Sequence, residues 1–359
     1  MGTFRVELGP RSHPVHVGAG LLDQVGKLAR DAGVSPGRVA LITDSNVATL
    51  YAPRTADALR SAGLEASVIE VTAGETSKSV ATLSSIYDRM AAAEIERSGA
   101  VFALGGGVVG DLAGFVAATW LRGVAVVQIP TTLTAQVDSA LGGKTGINLA
   151  SAKNLVGAFH QPRAIIADVA TLSTLPEREF REGFGEVIKY GAILDAPMIA
   201  DLERDLPRLL ARDGAALEGV VERSLLLKAK VVTADEHEGG LRKILNFGHT
   251  VGHALEAISG YGKYLHGEAV AVGMKVAAHL SEKFAGLSAD ESSRLIALIE
   301  RTGLPTSAPE LGLSAQIAGA MRLDKKRRQG DIEFVLLDRL GHAVTRPLGL
   351  DAIQQELSR

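Results

Sequence analysis

The sequence predicts an α/β protein in two parts, a layer of parallel strands flanked by helices and then a mainly α-helical region beginning after Pro176. Three observations carry that prediction. Up to Pro176, short β-branched runs alternate with helical patterns, the signature of βαβ units. Beyond it, strand signals stop and helical periodicity continues to about residue 321. The length of 359 residues suits two domains at roughly 150 residues each, here 1–176 and 177–359.

In order along the chain, residues 4–8 and 15–17 read as a hairpin and 21–30 as a helix. Residues 39–43 form a buried strand ending at Asp44, followed by a helix over 53–62 and a strand over 66–71. Over 79–93, Val80, Leu83, Ile86, Tyr87 and Met90 recur at helical spacing. The strand 100–104 runs into Gly105, Gly106 and Gly107, and 124–129 and 164–168 continue the alternation. Pro176 before Glu177 marks a helix start and hence the boundary. Near the end, 332–337 and 343–346 read as a hairpin and 352–357 as a closing helix.

Composition removes several classes of function. Thirty-eight Lys and Arg against 41 Asp and Glu leave a net charge of −3, without the basic excess of a nucleic-acid binder. The absence of cysteine excludes disulfides, thiolate metal sites and Cys nucleophiles, so a metal must use imidazoles and carboxylates. Hydrophobic residues make up 46% of the chain and aromatics only 4%, as expected of Ala/Val/Leu/Ile strands buried on both faces. No apolar leader and no run of the ~20 apolar residues needed to span a bilayer is visible, so a cytoplasmic protein without membrane contact is expected.

Gly105 to Asp111 fit G-x-G-x-x-G, placed after a strand and at the start of a helix, where glycines let the backbone approach a pyrophosphate. The same glycines equally suit a tight turn with close helix packing. Asp44 is placed either to hold a ribose diol or to cap the helix that follows. Further on, Gly142-Gly143-Lys144-Thr145 fails the P-loop spacing, because Asp138 stands where its first glycine would lie. The stretch with Lys144, Lys153 and Asn154 suits a small phosphorylated ligand or a solvated hairpin.

Five of nine histidines fall between positions 237 and 279. His249 and His253 lie at i, i+4, His266 follows, and Glu186 and Lys189 lie at i, i+3 on another helix. Such a set can supply two imidazoles and one carboxylate with an open coordination position, the pattern of catalytic zinc. Spacing leaves open which imidazoles bind; a helical His pair would be His249 with His253.

Seven blocks, at 105–111, 128–133, 137–148, 153–162, 185–191, 245–256 and 266–270, together resemble the 3-dehydroquinate synthase family over essentially the whole chain. The resemblance implies a Rossmann-like NAD-binding domain and a helical metal-binding domain with the active site between them, in a homodimer. It also implies NAD and a divalent metal, normally Zn2+ (or Co2+), as cofactors. The implied reaction takes 3-deoxy-D-arabino-heptulosonate 7-phosphate to 3-dehydroquinate and phosphate, by oxidation, β-elimination, reduction and intramolecular aldol closure.

Carried over by motif, NAD would meet Asp44, Asn46, Glu75, Lys78, the segment Gly106, Gly107, Val108, Val109, Gly110 and Asp111, then Thr131, Thr132, Lys144, Lys153, Thr171, Leu172, Ser173 and Thr174. The metal would take Glu186, His249 and His266, which releases His253 from the pairing that spacing suggests. The substrate carboxylate would meet Lys228, Arg242 and Asn246. Its phosphate would meet Lys144, Asn154, His253 and Lys325 or Lys326, with Arg122 from a partner subunit. Asp138 and Lys189 would hold hydroxyls, and Glu238 is placed as a proton acceptor. Rival readings are another sugar phosphate cyclase, a net polyol-phosphate dehydrogenase, or a non-catalytic NAD-sensing protein; Lys228, Arg242 and Asn246 argue against the first.

Overall fold

The computed structural model describes residues 2–149, 152–260, 263–308 and 332–357. The chain packs as two compact units, one of residues 1–175 and 214–237 and the other of 176–213 and 238–359. It therefore passes between units at three points, where the sequence reading has one passage at Pro176. The extra passages arise because helix α7 (Gly214–Ala234) packs its buried Leu217, Val221 and Leu225 in the first unit, against its first two strands.

The first unit is built on a seven-stranded sheet. Its strands are β1 (Gly2–Val6), β2 (His13–Gly18), β3 (Gly37–Asp44), β4 (Leu64–Val71), β5 (Ala100–Gly105), β6 (Ala125–Pro130) and β9 (Ala164–Asp168), in spatial order β1-β2-β9-β6-β5-β3-β4. Only the β1–β2 pair is antiparallel. Alternation sends Val39, Leu41, Phe102 and Leu104 to one face and Ala40, Ile42, Val101 and Ala103 to the other, so the sheet has two apolar cores. Helices α1 (Val25–Asp31) and α2 (Ser45–Ser61) cover the first face, and α3 (Val80–Ala92) and α4 (Gly107–Thr119) the second.

One boundary differs usefully from the sequence reading. Helix α2 begins at Ser45, with Pro53 inside it, because the Asp44 side chain accepts hydrogen bonds from the backbone N–H groups of Asn46 and Val47. That cap fixes the helix start eight residues before the proline that marks it in the sequence. Strands β7 (Lys144–Leu149) and β8 (Ala152–Phe159) form a separate antiparallel hairpin packed on α4.

Among the described residues, the second unit is helical apart from the hairpin β10 (Ile332–Arg339) and β11 (His342–Leu348). Its centre is α5 (Glu177–Leu194), buried continuously from Glu182 to Ile193. Around it lie α6 (Ala196–Leu210), α8 (His249–Ser259), α9 (His266–Phe284), α10 (Ala289–Arg301) and a closing helix, Leu350–Leu357. Among the described residues, no helix is long and apolar enough to cross a membrane.

Candidate active site

The first unit gathers its predicted residues at the carboxyl ends of the parallel strands. The chain leaves β3 toward β4 on one side and returns as β5 on the other, so the strand order reverses between β3 and β5. Open α/β sheets bind ligands at such a switch point. The register sets Thr43 beside Leu104 and Gly105 beside Pro130, which brings Asp44, the Gly106–Gly107 turn and Thr131 to one edge. The glycines serve close approach: a Cβ on Gly106 would lie 2.9 Å from Thr132 Cγ2, and one on Gly107 would lie 3.0 Å from Ser139 Oγ. Neither has a positive φ, so both readings of the glycine turn, tight packing and a bare helix N-terminus, describe the same backbone.

Beside that turn lies a polar network. Lys78, almost wholly buried, donates to Asp111 at 2.7 Å and Asn154 at 2.6 Å. Asn148 donates to Glu75 and accepts from the Asn154 N–H. Burial pushes the Asp111 carboxyl above its usual range, against the pull of Lys78. Asn148, which the sequence reading leaves without a role, joins Glu75 to Asn154; its place in the block 137–148 is the signal.

The first-unit candidates differ in exposure and in the hydrogen bonds they already make. Asp44 caps α2 through Oδ1, and Asn46 is exposed in the first turn. Val109 is buried, so only its backbone can face a ligand, while Val108 and Gly110 are partly covered. Thr131 Oγ1 is buried without a hydrogen-bond partner, whereas Thr132 Oγ1 caps the following turn. Thr171 donates to the Asp168 carbonyl, Leu172 is fully buried, and Ser173 and Thr174 are exposed. Lys144 is exposed at the start of β7, Lys153 is half-buried in β8, and Arg122 is exposed in a left-handed turn. Asp138 sits in a π-helical turn, Ala135–Ser139, where Lys228 of helix Gly214–Ala234 donates to both its carbonyl at 2.7 Å and its carboxylate at 2.9 Å.

The second unit holds a denser cluster. Residues 178, 182, 186 and 189 follow helical spacing and line one face of α5. Arg178 grips the Glu268 carboxylate, Glu182 accepts the Gly267 N–H at 2.7 Å, and the wholly buried Glu186 meets two imidazoles. Its Oε1 lies 3.2 Å from His266 Nε2 and 3.4 Å from His249 Nε2, while its Oε2 pairs with Lys189 Nζ. Donor atoms of Glu186, His249 and His266 all lie within 4.8 Å of one another.

The electrostatics suit a cation. Burial, with the Lys189 ammonium alongside, drives His249 down to about 3, so its imidazole is neutral as a metal ligand must be. Burial opposes charge on His266 too, yet the carboxylates of Glu186 and Glu256 outweigh it and push the imidazole up to about 10. A carboxylate and two imidazoles fit Zn2+ or Co2+ and leave further coordination positions open.

Neither cluster of possible ligands contains both His249 and His253; the exposed His253 falls instead with Glu256 and His266. Asn246 donates to Glu238, which has a left-handed backbone, and Arg242 is buried in the turn Leu241–Asn246. Lys325 and Lys326 lie outside the described residues. Glu182 and Glu256 escape the sequence reading, although each sits at helical spacing from a residue it singles out.

Family models described as the N-terminal and C-terminal parts of 3-dehydroquinate synthase match residues 68–182 and 183–327. A 3-dehydroquinate synthase of Desulforamulus reducens is 50% identical over 342 residues, 95% of each chain. The chain belongs to the 3-dehydroquinate synthase family. Solved structures of related cyclases share its fold. A 2-epi-5-epi-valiolone synthase from Streptomyces hygroscopicus, with NAD+ and Zn2+ bound, superposes with a TM-score of 0.88 at 28% identity, covering 98% of this chain and 96% of that one. A 2-deoxy-scyllo-inosose synthase complexed with carbaglucose-6-phosphate, NAD+ and Co2+ gives 0.90 at 27% identity over 99% of both. Membership of the 3-dehydroquinate synthase family accounts for the seven sequence blocks and their order.

Proposed function

We propose that this chain is a 3-dehydroquinate synthase that converts 3-deoxy-D-arabino-heptulosonate 7-phosphate into 3-dehydroquinate and phosphate. The observation that carries this is the convergence of Glu186, His249 and His266 in a chain half identical, over 95% of its length, to a curated enzyme of that name. The two ligand-bound cyclases support NAD+ and Zn2+ or Co2+ as its cofactors. When bound, NAD+ would take and later return a hydride at C5, while the cation would draw charge from neighbouring hydroxyl oxygens.

The chain's own residues position the substrate and hold its charge. Glu186, His249 and His266 would hold the cation. Asp44, Gly106, Gly107, Thr131 and Lys153 would hold the dinucleotide, and the partnerless buried Thr131 Oγ1 offers it a hydrogen bond. Lys228, Arg242 and Asn246 would take the substrate carboxylate. Lys228 is already paired with Asp138, so the ligand would join an existing ion pair rather than meet a lone ammonium. Lys144, Asn154, His253 and Lys325 or Lys326 would take the phosphate, with Arg122 from the partner in a homodimer. The departing phosphate can itself accept the C6 proton; Glu238 is the alternative acceptor. Such an enzyme would work in the cytoplasm.

The test is incubation with the heptulosonate phosphate, catalytic NAD+ and Zn2+, assaying phosphate and 3-dehydroquinate together. Equal yields over many turnovers, with no net NADH, are expected. Steady accumulation of NADH from a polyol phosphate, with no phosphate release, would replace this reading with a net dehydrogenase.

A further inference from the structure

Resting on the reading that Glu186, His249 and His266 hold a divalent cation, we propose that Glu256 is a positioning residue for that cation, acting through His266. Helix α8 carries His249, His253 and Glu256 at positions i, i+4 and i+7, one stripe along one face. His249 opens the stripe and Glu256 closes it beside the first residue of α9, His266. The His266 ring is thereby held between two carboxylates: Nε2 lies 3.2 Å from Glu186 Oε1, and Nδ1 lies 3.6 Å from Glu256 Oε2.

An imidazole offers a lone pair to a metal from one nitrogen while the other carries hydrogen. With the cation on Nε2, the Nδ1–H of His266 faces Glu256. That carboxylate selects the tautomer, fixes the ring's rotation and makes the ligand more basic. The Glu256 side chain is only 14% exposed, so solvent does little to screen its charge. His249 is treated differently, because its Nδ1 lies 3.2 Å from the uncharged backbone carbonyl of Phe247. The two imidazole ligands are thus unequal, and His266 is the stronger donor.

A competing arrangement uses the same carboxylate as a ligand, since donor atoms of His253, Glu256 and His266 also lie within 4.8 Å of one another. Burial decides between them. Glu186 is wholly buried and its partners His249 and His266 are half-buried, whereas the other set brings in the exposed His253.

The experiment measures Zn2+ affinity of the purified full chain by competition with a chromophoric chelator, and melting temperature with and without zinc. Glu256→Ala should weaken zinc binding about 100-fold, and Glu256→Gln, which keeps a polar oxygen facing Nδ1 but lacks the charge, about tenfold. Both should reduce the zinc-induced rise in melting temperature while leaving the metal-free value of Glu256→Gln unchanged. His253→Ala should keep wild-type zinc affinity, and Glu186→Gln should lose it. Wild-type affinity in Glu256→Ala, or equal losses of melting temperature with and without zinc, overturns the proposal. Loss of zinc in His253→Ala with retention in Glu186→Gln makes Glu256 a ligand and also overturns it. Retention of zinc in Glu186→Gln, His249→Ala and His266→Ala alike defeats the underlying cation site itself.

Discussion

The two clusters of charge in this molecule are arranged on opposite principles. In the first unit the buried ammonium of Lys78 is met by Asp111 at 2.7 Å and by Asn154, so charge is matched within the chain. In the second unit one carboxylate, Glu186, faces two imidazoles and the Lys189 ammonium together. The first arrangement satisfies its buried cation with partners from the chain itself. The second sets the carboxylates of Glu186 and Glu256 against one imidazole, His266, and so favours positive charge there despite its burial.

Breaking the second cluster should have the largest effect. Glu186→Gln should abolish bound metal and lower turnover on the order of a thousandfold, the equivalent of several kcal/mol of charge stabilisation. Metal analysis and phosphate release check it, and NAD+ affinity should stay near wild type. His266→Ala should likewise purify without metal; full zinc in that variant would remove His266 from the ligand set. In the first cluster, Lys78→Met leaves the part-buried Asp111 carboxylate without its cation and should cost about 1–3 kcal/mol in urea unfolding. It should also weaken NADH binding in a fluorescence titration while zinc content is unchanged. Gly106→Ala, which must displace the Thr132 methyl, should cost about 1–3 kcal/mol and lower NADH affinity without touching the metal. The smallest effect should be Lys153→Ala, a loss of about 1 kcal/mol in NADH binding by the same titration. If a first-unit variant emptied the metal site, or Glu186→Gln abolished NADH binding, the contrast between the clusters would fail.

The contrast also explains what could be read from the chain. Alternating strands, the glycine turn after β5 and the Glu186–Lys189 spacing follow from periods of 2 and 3.6, which are local. The strand 164–168 and the hairpin near the end were visible for that reason. Pairings set by folding were not: Lys228 reaches Asp138 across 90 residues, and Gly267 reaches Glu182 across 85. Asp44 offered two roles from sequence, and its hydrogen bonds to Asn46 and Val47 identify the cap. The His249–His253 spacing pairs two imidazoles along one helix, whereas tertiary packing of α9 on α5, which no local period encodes, brings His266 to Glu186 while His253 stays at the surface.

The return of helix Gly214–Ala234 to the first unit bears on how the protein is made. A Cβ on Gly2 would collide with the Glu222 carboxylate, so the first strand is packed against a segment more than 200 residues later. As the chain emerges from the ribosome, the amino-terminal sheet must wait, with that side uncovered, until residue 237 has been synthesised. A fragment ending at Leu175 would keep every strand of that sheet and still be an unfinished unit. Such a fragment should be prone to aggregation, whereas one joining residues 1–175 to 214–237 through a short linker should remain in solution.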